Sequence, residues 1–114
     1  MVNDKQIRKY LPLTESTFYI LLTLQEPLHG YAVMQTVREI SQGTVEIGPG
    51  TLYGAFTNLE KEGLIVMVSE ENRRKSYTLT PKGQRVLLAQ IESLQIMCDL
   101  GVQWRTALQE KNQE

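Results

Sequence analysis

The stretch GPGTLYGAFTNLEKEGLIVMVSEENRRKSYTLTPKG, residues 48–83, changes its hydrophobic period along its length. Its first part is helical. Gly48 can be the N-cap and Pro49 the first helical residue, where proline's missing N–H costs nothing. Leu52, Phe56 and Leu59 then fall at i, i+4 and i+7, one stripe aimed at a core. Gly63 suits the left-handed position that ends a helix. The outward residues are Thr51, Tyr53, Gly54, Thr57, Asn58 and Lys61, a short polar face nearly free of charge. The second part alternates. LIVMVS (64–69) and KSYTLT (75–80) carry the β-branched and aromatic residues of two strands, with the polar EENRRK as hairpin tip. Thr80-Pro81 repeats the cap-then-proline signal and opens a long helix reaching about Glu110.

Upstream, Thr14 can cap a helix whose first turn holds Glu15, with Leu13 stapled onto Phe18. That helix is expected to run to about Glu26, where Pro27 closes it. A second helix over 30–41 presents Tyr31, Val33, Met34, Val37 and Ile40 at helical spacing, and Gly43 ends it. The short TVEI (Thr44 to Ile47) suits a one-rung strand. Met1 to Pro12 has weak periodicity and four charges, and reads as an arm of uncertain order. Three helices followed by a hairpin describe a winged helix-turn-helix, a mainly α fold with a small β-hairpin. The domain division is residues 1–80 for this winged helix-turn-helix unit, arm 1–12 included, and 81–114 for a long carboxy-terminal helix.

The 114 residues amount to one domain, and 41% hydrophobic against 22% charged is ordinary globular composition. The opening residues lack the apolar segment of a signal peptide, and no apolar run is long enough for a membrane span. A single cysteine, Cys98, forms no internal disulfide, so a reducing cytoplasm is expected. The formal net charge is −1, yet Arg73, Arg74, Lys75, Lys82 and Arg85 follow one another with no acid between them. A local cationic strip of this kind is either a solvated loop or a surface for phosphates.

A helix entering a major groove needs a small polar leading face, and residues 48–61 offer one. Gly50, Thr51, Tyr53 and Gly54 lie near its start, Thr57 and Asn58 further in, and Lys61 within reach of a backbone phosphate. Gly54 in a helix interior costs up to about 1 kcal/mol relative to alanine, which close approach of another backbone would justify. Arg73, Arg74 and Lys75 at the hairpin tip supply the missing charge. Double-stranded operator DNA is therefore the leading partner, and a winged-helix module contacting protein instead is the alternative. His29 is expected to cap or pack, and Cys98 has no partner at metal-ligand spacing. No nucleophile motif or phosphate loop is present, so neither enzyme activity, metal nor cofactor is expected.

ILLTLQEPLHGYAVMQTV, GPGTLYGAFTNLEKEGLI and RRKSYTLTPKG together resemble the PadR family of bacterial transcriptional regulators, in register from Ile20 to Gly83. The resemblance implies a homodimeric winged-helix repressor that responds to small aromatic or lipophilic compounds. It places Thr51 and Tyr53 in the family's recognition-helix TLY and Arg73, Arg74 and Lys75 in its basic wing. Asn58 stands where members often carry a basic residue, Ser76 where they carry an aromatic one, and the wing tip lacks their glycines.

The last helix spans about 45 Å at 1.5 Å per residue, more than a domain of this size can cover. Leu87, Ile91, Leu94, Cys98, Gly101, Trp104 and Leu108 recur along it every three or four residues. Such a stripe is expected to pair with the same helix of a second subunit. Leu94, Met97, Gly101 and Trp104 form either plain interface core or a seat for an apolar effector. By the family's register, Leu94 holds the place of a ligand-stacking tryptophan.

Overall fold

Four of the helices begin at residues with a clear physical reason to start one, in a computed structural model that describes residues 4–113. Thr14 Oγ1 accepts the Thr17 N–H at 3.1 Å and starts α2 (Glu15–Thr23). His29 Nδ1 accepts the Ala32 N–H at 3.4 Å and starts α3 (Gly30–Ile40). Gly48 and Pro49 open α4 (Pro49–Lys61) without any side-chain cap. Thr80 Oγ1 accepts the Gly83 N–H at 3.0 Å at the head of α5 (Pro81–Lys111). A shorter α1 (Asp4–Arg8) precedes them. Gly63, at a φ of 75°, closes α4 as a left-handed glycine does.

Three strands form one antiparallel sheet in the order β1 (Leu28–His29), β3 (Arg74–Leu79), β2 (Ile65–Glu71). In the hairpin Ile65 faces Leu79 and Glu71 faces Arg74, with a bulge between Met67 and Ser69. The core lies where α2, α3 and α4 meet the sheet: Leu21, Leu24, Val33, Val37, Leu52, Phe56, Leu59 and Leu64 are all buried. No helix among the described residues is long and apolar enough to cross a membrane.

Several expectations need correction. TVEI is not a strand. Ser41 Oγ donates to the Val45 carbonyl at 3.2 Å and accepts the Val45 N–H at 3.1 Å, so one side chain satisfies the groups a strand partner would have. The third strand is Leu28–His29, which faces Tyr77 and Ser76 of β3. Helix α2 stops at Thr23, short of Glu26, because the Leu24 carbonyl turns to accept the Leu79 N–H at 2.9 Å and the Thr78 hydroxyl at 3.0 Å. The amino-terminal arm is ordered over α1, where Ile7 is buried in the core. Residues 1–3 of that arm, and Glu114, lie outside the described residues.

The start of α5 is bonded to the end of α4. Thr80 Oγ1 donates to the Gly63 carbonyl at 2.6 Å, the Thr80 N–H to the Leu64 carbonyl at 3.0 Å, and Lys82 Nζ to the Glu62 carbonyl at 2.8 Å. Gly83 packs so closely on Leu64 that a Cβ there would overlap the Leu64 carbonyl oxygen. Tyr10, following α1, donates its hydroxyl to Glu62 Oε2 at 3.1 Å and lies under the Lys82 ammonium. Leu87 was assigned to a subunit seam, but it is only 5% exposed and belongs to this domain's own core. Past Met97, which still borders α1, the helix leaves the domain. Ile91, Leu94, Met97, Trp104 and Leu108 are all exposed, and the molecule reaches 59 Å along its longest axis.

Candidate nucleic-acid interface

Helix α4 and the wing enclose a cleft of about 360 Å³ lined by His29, Gly30, Tyr31, Tyr53, Phe56, Thr57, Arg73, Arg74, Lys75 and Tyr77. The stripe Leu52, Phe56 and Leu59 is buried, which turns Thr51, Tyr53, Gly54, Thr57, Asn58 and Lys61 outward together. Tyr53 and Thr57 thus form one wall and the three cations the other. The floor is aromatic: Tyr53 meets Phe56 edge-on at 6.2 Å between ring centroids, and Phe56 meets Tyr77 at 4.8 Å.

Two groups in the cleft are altered by their surroundings. Burial, then the charges of Glu60 and Glu70, hold the Tyr77 phenol above its ordinary value of 10.0, so it stays neutral. Thr57 Oγ1 donates to the Tyr53 carbonyl at 2.9 Å, which commits its proton and leaves the oxygen as an acceptor toward solvent. Space is open above Gly50 and Gly54: a Cβ at either would meet nothing within 4 Å. Another molecule's backbone can therefore approach the helix closely along this face.

At the wing tip the two-residue turn is Asn72-Arg73, with φ of 52° and 66°. This is shorter than the six-residue tip expected, and it draws Glu70, Glu71, Arg74 and Lys75 into the strands. Lys75 then faces Glu70 and Arg74 faces Glu71 across the ladder. Adjacent carboxylates therefore dilute the positive field of the tip.

The cleft brings Tyr53, Thr57, Arg73, Arg74 and Lys75 into one lining, while Asn58 and Lys61 stand further along the same exposed face. Sequence reasoning missed His29, Gly30, Tyr31 and Tyr77 as lining residues. Only the pairing of β1 with β3 carries them there, and no local pattern announces that pairing.

The residues assigned to an effector seat are not assembled within one chain. Met97 lines a groove of about 730 Å³ against α1, with Ile7, Arg8, Leu11 and Pro12 among its other walls. Cys98, Gly101 and Leu108 border a separate open hollow with Val102 and Arg105. Leu94 and Trp104 line neither.

Known proteins resemble the chain in sequence and in fold. Residues 20–89 match the transcriptional regulator PadR-like family. The chain is 37% identical over 68 residues to an uncharacterized 37.1 kDa protein of transposon TN4556 in Streptomyces fradiae, covering 60% of this chain and 19% of that protein. It spans 19% of the length of that protein and 33% of the length of transcriptional regulator YqjI of Escherichia coli. A transcriptional regulator from Clostridium thermocellum superposes with a TM-score of 0.64 at 25% identity, covering 91% of this chain and 98% of the other. A PadR family transcriptional regulator from Eggerthella lenta gives 0.59 at 28%, covering 83% and 77%.

Proposed function

The chain belongs to the PadR-like family of transcriptional regulators, and from that premise we propose that it is a homodimeric repressor that binds operator DNA. Helix α4 enters the major groove and the wing lies along the flanking backbone. The observation that carries this reading is the cleft in which Tyr53 and Thr57 face Arg73, Arg74 and Lys75. Polar side chains reach base edges from one wall while cations contact phosphates from the other. Two copies joined through the exposed part of α5 present two such clefts to successive grooves.

The test is selection of binding sites from a random-sequence duplex library by the whole protein, followed by affinity measurements against salt. A repeated motif with two half-sites is expected. Arg74→Ala is expected to weaken binding to all duplexes alike and to reduce the salt slope by about one unit. Failure to enrich any duplex would favour a winged-helix module that contacts protein.

The same reading includes an apolar, aromatic effector at the subunit seam near Leu94, Met97, Gly101 and Trp104. Its binding disfavours the DNA-bound dimer, and operator must weaken effector binding by the same factor. Trp104 is the chain's single tryptophan, so titration of its fluorescence with phenolics and cationic drugs, with and without operator, tests this directly. Quenching indifferent to operator would mean a site without a switch.

A further inference from the structure

We propose that Gly30 is a positioning residue that sets the pose of the Tyr53 ring and so the affinity for operator. The inference rests on the reading of α4 as the recognition helix. Tyr53 is 53% exposed, and an exposed tyrosine ordinarily samples several rotamers. Here two neighbours confine it. On one side stands the edge-on ring of Phe56, itself buried against Tyr77. On the other lies Gly30, where a Cβ would come within 2.8 Å of the Tyr53 hydroxyl oxygen and 3.0 Å of two ring carbons. Real Cβ atoms do not approach so closely, so only glycine leaves room for the ring in this pose.

The seat is rigid. Gly30 is buried as the first residue of α3, directly after the His29 cap. His29 in turn is paired with Ser76 in the ladder between β1 and β3. Backbone conformation does not call for glycine, since Gly30 is not among the glycines of positive φ. Close approach is the remaining reason for glycine at this position. A methyl group at Gly30 would push away the free end of an exposed side chain and leave the core untouched. Stability and DNA affinity should therefore respond differently.

The experiment compares the whole protein with Gly30→Ala, Tyr53→Ala and the double variant, on the duplex selected above and on a scrambled duplex of equal composition. Gly30→Ala is expected to lower affinity for the selected duplex ~10-fold, the scale of one misplaced contact, and to leave the scrambled duplex little changed. The double variant should bind no more weakly than Tyr53→Ala, because with the ring gone the methyl displaces nothing. Melting temperature should stay within a few degrees, since alanine is the better helix former. Undiminished affinity in Gly30→Ala, or fully additive losses in the double variant, would overturn the inference. A second measurement leaves Gly30 intact: its α-proton resonances should carry a ring-current shift that Tyr53→Ala abolishes, and unchanged resonances would overturn it equally. If the native protein selects no duplex, the DNA-binding reading falls and this inference with it. If only Gly30→Ala behaves as native, this inference alone falls.

Discussion

Arg73 occupies the second turn position of the wing at a φ of 66°, a conformation that costs a residue with a side chain about 1–2 kcal/mol. Glycine would relieve that strain, so the cation is kept at a measurable cost. Arg73→Gly is expected to raise stability by ~1 kcal/mol in urea titrations, the relief less glycine's greater chain entropy. It should also weaken binding to all DNA and remove about one unit of salt slope. If only stability changes, Arg73 contacts no phosphate. Gly83 presents the opposite case. A Cβ there meets the Leu64 carbonyl oxygen, which is backbone and cannot swing aside. Gly83→Ala is expected to cost ~2–4 kcal/mol in the same titrations, the range of strained and overpacked sites. A loss below half a kcal/mol would mean that α5 shifts freely on α4.

At the scale of elements, the wing carries Glu70 and Glu71 beside the cations that the proposed function assigns to DNA. Glu70→Gln and Glu71→Gln are each expected to raise affinity for every duplex a few-fold near 0.05 M salt. The gain should fade as salt is added and screening shortens. A gain confined to the selected duplex would instead place these carboxylates near base edges. Helices with a cap at one end and a glycine at the other were legible in the sequence: Thr14, Pro49, Gly63 and Thr80 mark boundaries through local chemistry that tertiary contacts do not override. The short strand was not legible. TVEI and Leu28-His29 are both brief and mix apolar with polar residues, and what separates them is distant: Ser41 satisfies one, Tyr77 and Ser76 pair with the other. The site divides in the same way. Tyr53 and the wing cations stand out by type and spacing, whereas Gly30 matters only because a residue of another helix rests on it.

At the scale of the whole molecule, the outer length of α5 carries a row of apolar side chains without cover. Ile91, Leu94, Met97, Leu100, Trp104 and Leu108 are each at least 38% exposed along it. A lone helix of that length holds weakly in water without packing. Ile91 and Leu94 replaced together by aspartate, or deletion of residues 102–114, should yield monomers by light scattering and strip operator affinity by orders of magnitude. Dimers that survive either change would place the subunit contact elsewhere.

The Gly83–Leu64 contact makes the head of α5 a pivot shared with the tail of α4. From that pivot α5 extends about 46 Å outward and α4 about 20 Å toward the groove, at 1.5 Å per residue. Moving as one body, the two helices would be unequal arms of one lever. A shift of ~4 Å at the far end of α5 corresponds to a tilt of about 5°, and that tilt carries the leading end of α4 by ~2 Å, a large fraction of a hydrogen-bond length. The gearing runs downward from the seam to the groove. On the proposed reading, a coarse rearrangement among soft apolar side chains at the seam would become a fine displacement of Thr51 and Tyr53, on the scale at which a hydrogen bond is made or lost.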